Sequence, residues 1–290
     1  PALVKRMLGD PDLRRLGGVK QEVSLLFTDI ENFSRFSETM IPDDLVNLLN
    51  RYFQVALECI HDTDGPVVAL VGDAIFAIWN APIGQHDHRE RACQAALSLR
   101  QRSVQFNDIR QGLVMRTRVG LHSGIVCVGN IGSAHRFDYT AVGENVNLGS
   151  RLEGLNKHLG TDVLATREIQ RVVEGKLTSR LIGYVQLKGF GRAVEVHELL
   201  GSAETAEASR PWRERFAAAL QLFRARQFDA AEKAFRETIE LRTEIEGRLT
   251  GQVDKPGGDG PSLFYLNTIA GLRVSPPPDD WIGEVTMKAK

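Results

Sequence analysis

Apolar residues recur along this chain in two periods, and their alternation sets out the elements. Residues 23–27 are mostly apolar and strand-like; they run into Asp29 and a polar turn that opens an amphipathic helix. Leu45, Leu48, Leu49, Tyr52, Phe53, Ala56, Leu57 and Ile60 fall at spacings of three, four and seven, so a helix is expected over residues 42–61. Two apolar runs, 67–71 and 74–79, flank Gly72-Asp73 and read as a hairpin with a tight turn. A helix over 89–108 would bury Ala92, Ala95, Ala96 and Leu99. Residues 114–124 and 125–132 read as two strands, with glycines where backbones approach closely. A short strand at 136–140 precedes a helix whose apolar stripe is Leu148, Leu152, Leu155 and Leu159. A strand at 162–165, a short helix at 168–174 and a closing hairpin of 184–189 with 194–199 complete this region.

Strands and helices alternate, but short turns join several strand pairs. That predicts an α+β, ferredoxin-like sandwich with a mixed or antiparallel sheet flanked by helices, and argues against a doubly wound parallel sheet. Residues 1–20 read as a connector with a Gly17-Gly18 break, residues 21–200 as the main domain, and 201–211 as a linker ending at Pro211. Residues 212–290 read as a small helical appendage. Phe216, Leu220 and Phe223, then Phe228, Ala231, Phe235 and Ile239, mark two antiparallel helices, and residues 226–235 resemble the second half of a tetratricopeptide repeat. Residues 247–260 are rich in Gly, Asp and Lys and are expected to be mobile. Residues 262–272 form another helix, and the Pro-rich stretch to Trp281 is extended, with the Trp docking.

Composition narrows the function classes. Of 290 residues, 42% are hydrophobic and 25% charged, which is ordinary for a globular protein. A net charge of −1 gives no reason to expect a nucleic-acid partner. Cys59, Cys93 and Cys127 lie far apart and read as core thiols of a reducing, cytoplasmic compartment. No apolar run approaches the ~18–20 residues that span a bilayer. Because the chain starts at Pro1, it reads as a piece of something longer, with an upstream sensor or membrane segment as the candidate missing part.

Chemistry gathers at three places. Asp29 and Asp73 each stand at the tip of an apolar strand, where a carboxylate is costly unless it is paired or hydrogen-bonded. Together they could hold divalent metal ions; either one alone is as well explained as a turn former or helix cap. Asn147 and Arg151 are four apart and share a helix face, which by itself is equally a solvated helix edge. Gln85-His86-Asp87-His88 has metal-ligand letters, but a solvated turn capping the next helix is the simpler reading.

Phe27-Thr28-Asp29-Ile30, then Gly72-Asp73, then Asn147 and Arg151 with the trailing Leu152-Glu153, in this order and spacing, resemble the catalytic domain of the class III nucleotidyl cyclases, the adenylate and guanylate cyclases. The resemblance covers roughly residues 20–200 and is nearest to the bacterial adenylate cyclases. It implies conversion of ATP to cyclic AMP and pyrophosphate with two divalent metal ions, Mg2+ or Mn2+. Asp29 and Asp73 are then the metal ligands, with the Ile30 carbonyl as a backbone ligand. The turn Glu31-Asn32-Phe33-Ser34 offers backbone N–H groups to the β- and γ-phosphates. Lys188 stands where the family contacts the terminal phosphate, or is simply a solvated hairpin lysine. Arg151 would stabilise phosphoryl charge and Asn147 would orient the ribose. The resemblance places these two on the opposite protomer from the aspartates, so the enzyme would be a homodimer with shared sites.

The base pocket departs from the family. Its adenylate cyclases carry a Lys four residues before the second metal Asp; here that position is Ala69. The second base-reading position is Thr140, as in many bacterial adenylate cyclases, and the guanylate cyclase pair is absent. Three alternatives stay open: a catalytically impaired or regulatory nucleotide-binding domain, favoured by Ala69; a guanylate cyclase, disfavoured by Ala69 with Thr140; and an interaction module carried by the tail. A diguanylate cyclase lacks its Gly-Gly-Asp/Glu-Glu-Phe turn here.

Overall fold

One long antiparallel pair carries the first part of the chain. Strand β1 (Gly17–Ile30) lies against β4 (Thr117–Gly132), in register from Gly17 opposite Asn130 to Ile30 opposite Thr117. The structure, a computed structural model, describes residues 16–107, 115–133, 135–250 and 258–287. The expected connector over 1–15, the start of a strand at 114, the helix end at 108 and residues 251–257 of the expected mobile stretch lie outside the described residues. The chain divides into two units, Pro1–Asn156 with Asp162–Val173, and Lys157–Thr161 with Glu174–Lys290.

In the first unit β3 (Ala74–Trp79) pairs antiparallel with the other side of β1, and β2 (Val67–Val71) pairs with β3. β6 (Val163–Thr166) runs parallel to β4, and β5 (Phe137–Val142) pairs antiparallel with the far half of β4. The strand order is therefore β2-β3-β1-β4-β6, a mixed sheet as the alternation of elements predicts. Among the described residues, five helices belong wholly or mainly to this unit: α1 (Phe33–Thr39), α2 (Pro42–His61), α3 (His88–Ser103), α4 (Glu144–Leu159) and α5 (Arg167–Val173). The predicted period of α2 holds, and it buries Tyr52, Ala56, Cys59 and Ile60. On the sheet, Val23, Leu25, Ile78, Val126 and Val128 form an apolar cluster.

The strands differ from expectation in two places, each for a physical reason. Gly17-Gly18 is not a break: it begins β1, because Gly129 of β4 approaches so closely that a Cβ there would strike the Gly17 carbonyl. The two strands expected over 114–132 are one. Gly120 and Gly124 do not interrupt it; they make room for α4, since a Cβ on Gly120 would run into the Glu153 amide. Helix α3 ends at Ser103 and tightens into a 3-10 turn over Val104–Phe106. Asp87 sits at the N-cap of α3 but makes no capping hydrogen bond; its carboxylate pairs instead with Arg91, 2.7 Å away.

The second unit holds the hairpin of β7 (Leu177–Gln186) and β8 (Val194–Ser202), and a third strand, β9 (Glu284–Thr286), runs parallel to β7. α6 (Thr205–Arg224), α7 (Phe228–Thr250) and α8 (Gly260–Val274) complete it. Residues 205–211, expected as part of a linker, are the first turns of α6 with Pro211 inside the helix. The Ser209 hydroxyl and the Arg213 guanidinium donate to the Thr205 and Ala206 carbonyls around the proline. Phe216, Phe223, Phe235 and Tyr265 form the core between the helices, and the Tyr265 hydroxyl donates to the Ile182 carbonyl at 2.9 Å. Trp281 docks as expected, edge-on to Phe223.

The stretch expected to be mobile contains the most buried charge of this unit. Asp259, fully buried, N-caps α8 by accepting from the Ser262 amide, and it receives Arg180 at 2.6 Å and Arg242 at 2.7 Å. Arg180 also reaches Glu198 and lies between the rings of Trp212 and Phe216. Burial alone would push the Asp259 carboxyl up, but the two arginines and the Ser262 hydroxyl hold it well below the usual carboxylate range. Removing one partner of such a pair strands the others. Asp259→Ala should lower the stability of this unit by about 3–5 kcal/mol in urea unfolding, and a loss below about 1 kcal/mol would contradict this account of the network.

Candidate active site

The site begins where β1 leaves the sheet. Asp29 is its penultimate residue, and Asp73 sits in the two-residue turn between β2 and β3, where Gly72 takes the positive φ (+62°) that such a turn demands. The Ile30 amide donates to Asp73 Oδ2 at 2.9 Å, so the Asp73 carboxylate is fixed beside the residue that follows Asp29. The three expected metal-ligand positions, Asp29, Ile30 and Asp73, are thus brought together. Beneath them the polar groups of the strand ends are satisfied. The Ile75 amide donates to Thr28 Oγ1, and the buried Tyr52 hydroxyl lies 3.0 Å from Thr117 Oγ1.

Helix α4 crosses the same strand end. Phe27 stacks on Phe76, and Gly149 of α4 lies so close to the Phe27 ring that a Cβ there would come within 2.9 Å. Two residues along β1, from Phe27 to Asp29, span about 6.6 Å. Four along α4, from Gly149 to Glu153, span about 6 Å. Glu153 is therefore carried toward Asp29. Burial first, and then the charges of Asp29 and Asp73 set against the relief from Arg118, push its carboxyl up to about 8. Asn147 and Arg151 are exposed on the same helix. At about 100° per residue, Arg151 stands roughly 200° around α4 from Glu153. The face that bears Asn147 and Arg151 is thus turned away from the face that meets this protomer's own aspartates.

Sequence reasoning missed Arg118. It stands directly across from Asp29 in the β1–β4 register, with Nη1 3.6 Å from Asp29 and Nη2 2.7 Å from Glu31. Arg118, a charge inside the largely apolar or small-residue run of β4, was the available signal, since a buried charge needs a partner. The turn Glu31-Asn32-Phe33-Ser34 is less open than expected, because the Glu31 amide already donates to the Arg116 carbonyl at 2.8 Å. Phe33 and Ser34 open α1, the first half-buried and the second exposed. Ala69 lies opposite Phe76 and Thr140 opposite Gly129, on strands β2 and β5, which approach one another. Lys188 belongs to the second unit. It is exposed in a turn closed by the Phe190 amide on the Leu187 carbonyl, and Gly189 supplies the positive φ (+81°) of a type II turn.

These residues fit a hard divalent cation. Two carboxylates, Asp29 and Asp73, stand there beside the Ile30 backbone with the Arg118 guanidinium 3.6 Å from Asp29, and the Glu153 carboxyl is pushed up first by burial and then by their charges. No group of three His, Cys, Asp or Glu side chains among the described residues forms a closed metal cage. Two carboxylates with open positions suit Mg2+, which is commonly held by one or two carboxylates together with substrate phosphates. Because Glu153 in the folded chain keeps a proton that an unfolded glutamate (4.5) gives up, stability should fall as pH rises from about 4.5 to about 8. Glu153→Gln should remove that fall and be more stable than the parent by roughly 1–3 kcal/mol near pH 8.5, with little difference near pH 4.5. Thermal unfolding across pH without added metal checks this; parallel profiles for the two proteins would contradict it.

Comparison with known proteins agrees with this geometry. Residues 18–201 match the adenylate and guanylate cyclase catalytic domain family. Adenylate cyclase 1 of Rhizobium meliloti (strain 1021) is 37% identical over 195 residues, covering 65% of this chain and 29% of that protein. An adenylate cyclase of Anabaena cylindrica is 30% identical over 189 residues, covering 62% of this chain and 37% of that protein. The chain thus spans well under half the length of these curated relatives. Among solved structures, the adenylyl cyclase CyaB from P. aeruginosa superposes with a TM-score of 0.60 at 26% identity, over 64% of this chain and 97% of that one. The guanylyl cyclase Cya2 superposes with a TM-score of 0.56 at 29% identity, over 65% and 96%. With two strand-end aspartates side by side and an Asn147–Arg151 helix face turned outward from them, this chain belongs to the adenylate and guanylate cyclase catalytic domain family.

Proposed function

We propose that the chain is the catalytic unit of an adenylate cyclase that converts ATP to 3′,5′-cyclic AMP and pyrophosphate in a homodimer with shared sites. The observation that carries the reading is the Asp73 carboxylate held on the Ile30 amide beside Asp29. In the reaction the ribose 3′-oxygen attacks the α-phosphorus, its proton leaves, and pyrophosphate departs. Two divalent cations, Mg2+ or Mn2+, would supply activation of the hydroxyl and neutralisation of phosphate charge when bound. Asp29, Asp73 and the Ile30 carbonyl would hold them. Arg118 keeps Asp29 and Glu31 aligned at the strand end.

The other roles follow from position. Arg151 stabilises charge on the transferred phosphoryl group and Asn147 orients the ribose. Both project from the α4 face opposite Glu153, which supports their serving a second protomer's aspartates. Phe33 and Ser34 line the phosphate end at the start of α1, and the family resemblance assigns Lys188 to the terminal phosphate. ATP as substrate is supported by the adenylate cyclase relatives and by Thr140; Ala69 offers no hydrogen-bonding side chain to the base. The missing bond would cost about 1–3 kcal/mol of selectivity, so base choice is relaxed. The tetratricopeptide-like reading of α6 and α7 rests on residues 226–235 and their antiparallel hairpin, and it makes the tail a docking element for a regulatory partner.

A second reading, a nucleotide-binding regulatory domain with little turnover, is favoured by Ala69. The two part on turnover. Asp73→Asn should lower cyclic AMP formation on the order of a hundredfold or more while leaving the fold intact; unchanged turnover would remove the metal role of Asp73. Ala69→Lys should raise the preference for ATP over GTP by about tenfold, measured as a ratio of kcat/KM values, and an unchanged ratio would remove Ala69 from the base pocket.

A further inference from the structure

Helix α4 is held to the sheet at two points, both asparagines. Asn145, in its first turn, donates through Nδ2 to the Ile125 carbonyl at 2.8 Å. Asn156, eleven residues on and fully buried, donates through Nδ2 to the Val119 carbonyl at 3.0 Å. Eleven residues of helix rise about 16.5 Å, and the six residues from Val119 to Ile125 extend about 20 Å. The helix is thus strapped antiparallel along β4 at matched points.

The first point has a further layer. Because the Asn145 amide nitrogen donates to Ile125, its oxygen faces His122 Nε2 at 2.9 Å and accepts from it. That puts a proton on Nε2, and on the other side of the ring Nδ1 lies 2.8 Å from the Thr166 hydroxyl. Glu168 Oε2 lies 3.9 Å from the same Nδ1. His122 and Thr166 are buried in the sheet. Gly124 makes room for the contact, since a Cβ there would lie 2.6 Å from the Asn145 side chain. Thr166, His122 and Asn145 thus form a chain of hydrogen bonds running from β6 through β4 into α4.

We infer that this His122–Asn145 clamp sets the roll of α4, and so aims Asn147 and Arg151; His122 and Asn145 are positioning residues for the reaction. The inference rests on the proposed roles of Asn147 and Arg151. Asn145 faces the sheet, and Asn147 and Arg151 stand roughly 200° and 240° around the helix from it, so a roll at the clamp is transmitted directly to them. A side-chain tip about 5–6 Å from the axis moves about 1 Å for a 10° roll. A misplacement of about 1 Å can lower a rate on the order of a hundredfold.

The test uses Asn145→Leu, which keeps the bulk in the Gly124 notch and removes both hydrogen bonds. Its kcat should fall about tenfold or more with KM within about twofold, and the isosteric Thr166→Val, which frees only the far side of the His122 ring, should lower kcat about two- to fivefold. A parent-like kcat in both overturns the inference. Mixed dimers separate aim from general damage. In an Asn145→Leu/Asp73→Asn heterodimer, one shared site has both aspartates from the first protomer and an unaltered α4 from the second. That dimer should recover about half the parent activity. An Arg151→Ala/Asp73→Asn heterodimer is the reference. Recovery only in the reference overturns the inference, because Asn145→Leu then damages its own protomer's aspartate site. Recovery in neither overturns the shared-site reading itself, and the kcat of Asn145→Leu then decides the inference alone.

Discussion

Crowding of negative charge at one strand end governs the first unit. Asp29, Asp73, Glu31 and Glu153 converge where β1 leaves the sheet, against Arg116 and Arg118. Such a cluster repels its members or takes up protons; burial first, and then the charges of Asp29 and Asp73 set against Arg118, push the Glu153 carboxyl up to about 8. The fold holds the arrangement by commitments made elsewhere. The β1–β4 pairing puts Arg118 opposite Asp29, the Gly72 turn delivers Asp73 to the Ile30 amide, and Gly120 and Gly149 let α4 lie close enough to bring Glu153 in. Together these give the carboxylate pair that the proposed function assigns to divalent cations.

The same helix answers two requirements with two faces. Its inner face carries Asn145, Gly149, Glu153 and Asn156, all engaged with β1 or β4. Its outer face carries Asn147 and Arg151. One element thus borders this chain's own carboxylates and turns Asn147 and Arg151 outward, which is why the proposed enzyme is a dimer.

Much of this was legible in the sequence, and the misses have physical causes. The period of residues 42–61 gave α2 because a helix with one buried face writes its apolar spacing directly. The hairpin at Gly72-Asp73 was legible from its turn residues. β4 was not legible as one strand, because its glycines serve neighbours far along the chain, and a local pattern reads them as breaks. Asp259 was misread for the same reason. It stands in a polar, glycine-rich stretch, and only folding brings Arg180 and Arg242 to it. Asp29 and Asp73 stood out because each follows an apolar run, but their metal role was assigned only by the family resemblance. Arg118 and the His122–Asn145 contact were not, because their meaning lies in partners across the sheet.

The proposed function turns on Asp29 and Asp73 together holding the cations of a cyclase. Manganese binding followed by electron paramagnetic resonance, with a non-cyclising ATP analogue present, tests it most directly. Two Mn2+ should bind per site in the parent protein, and at least one should be lost in Asp73→Asn. Equal stoichiometry and affinity in both proteins would contradict it.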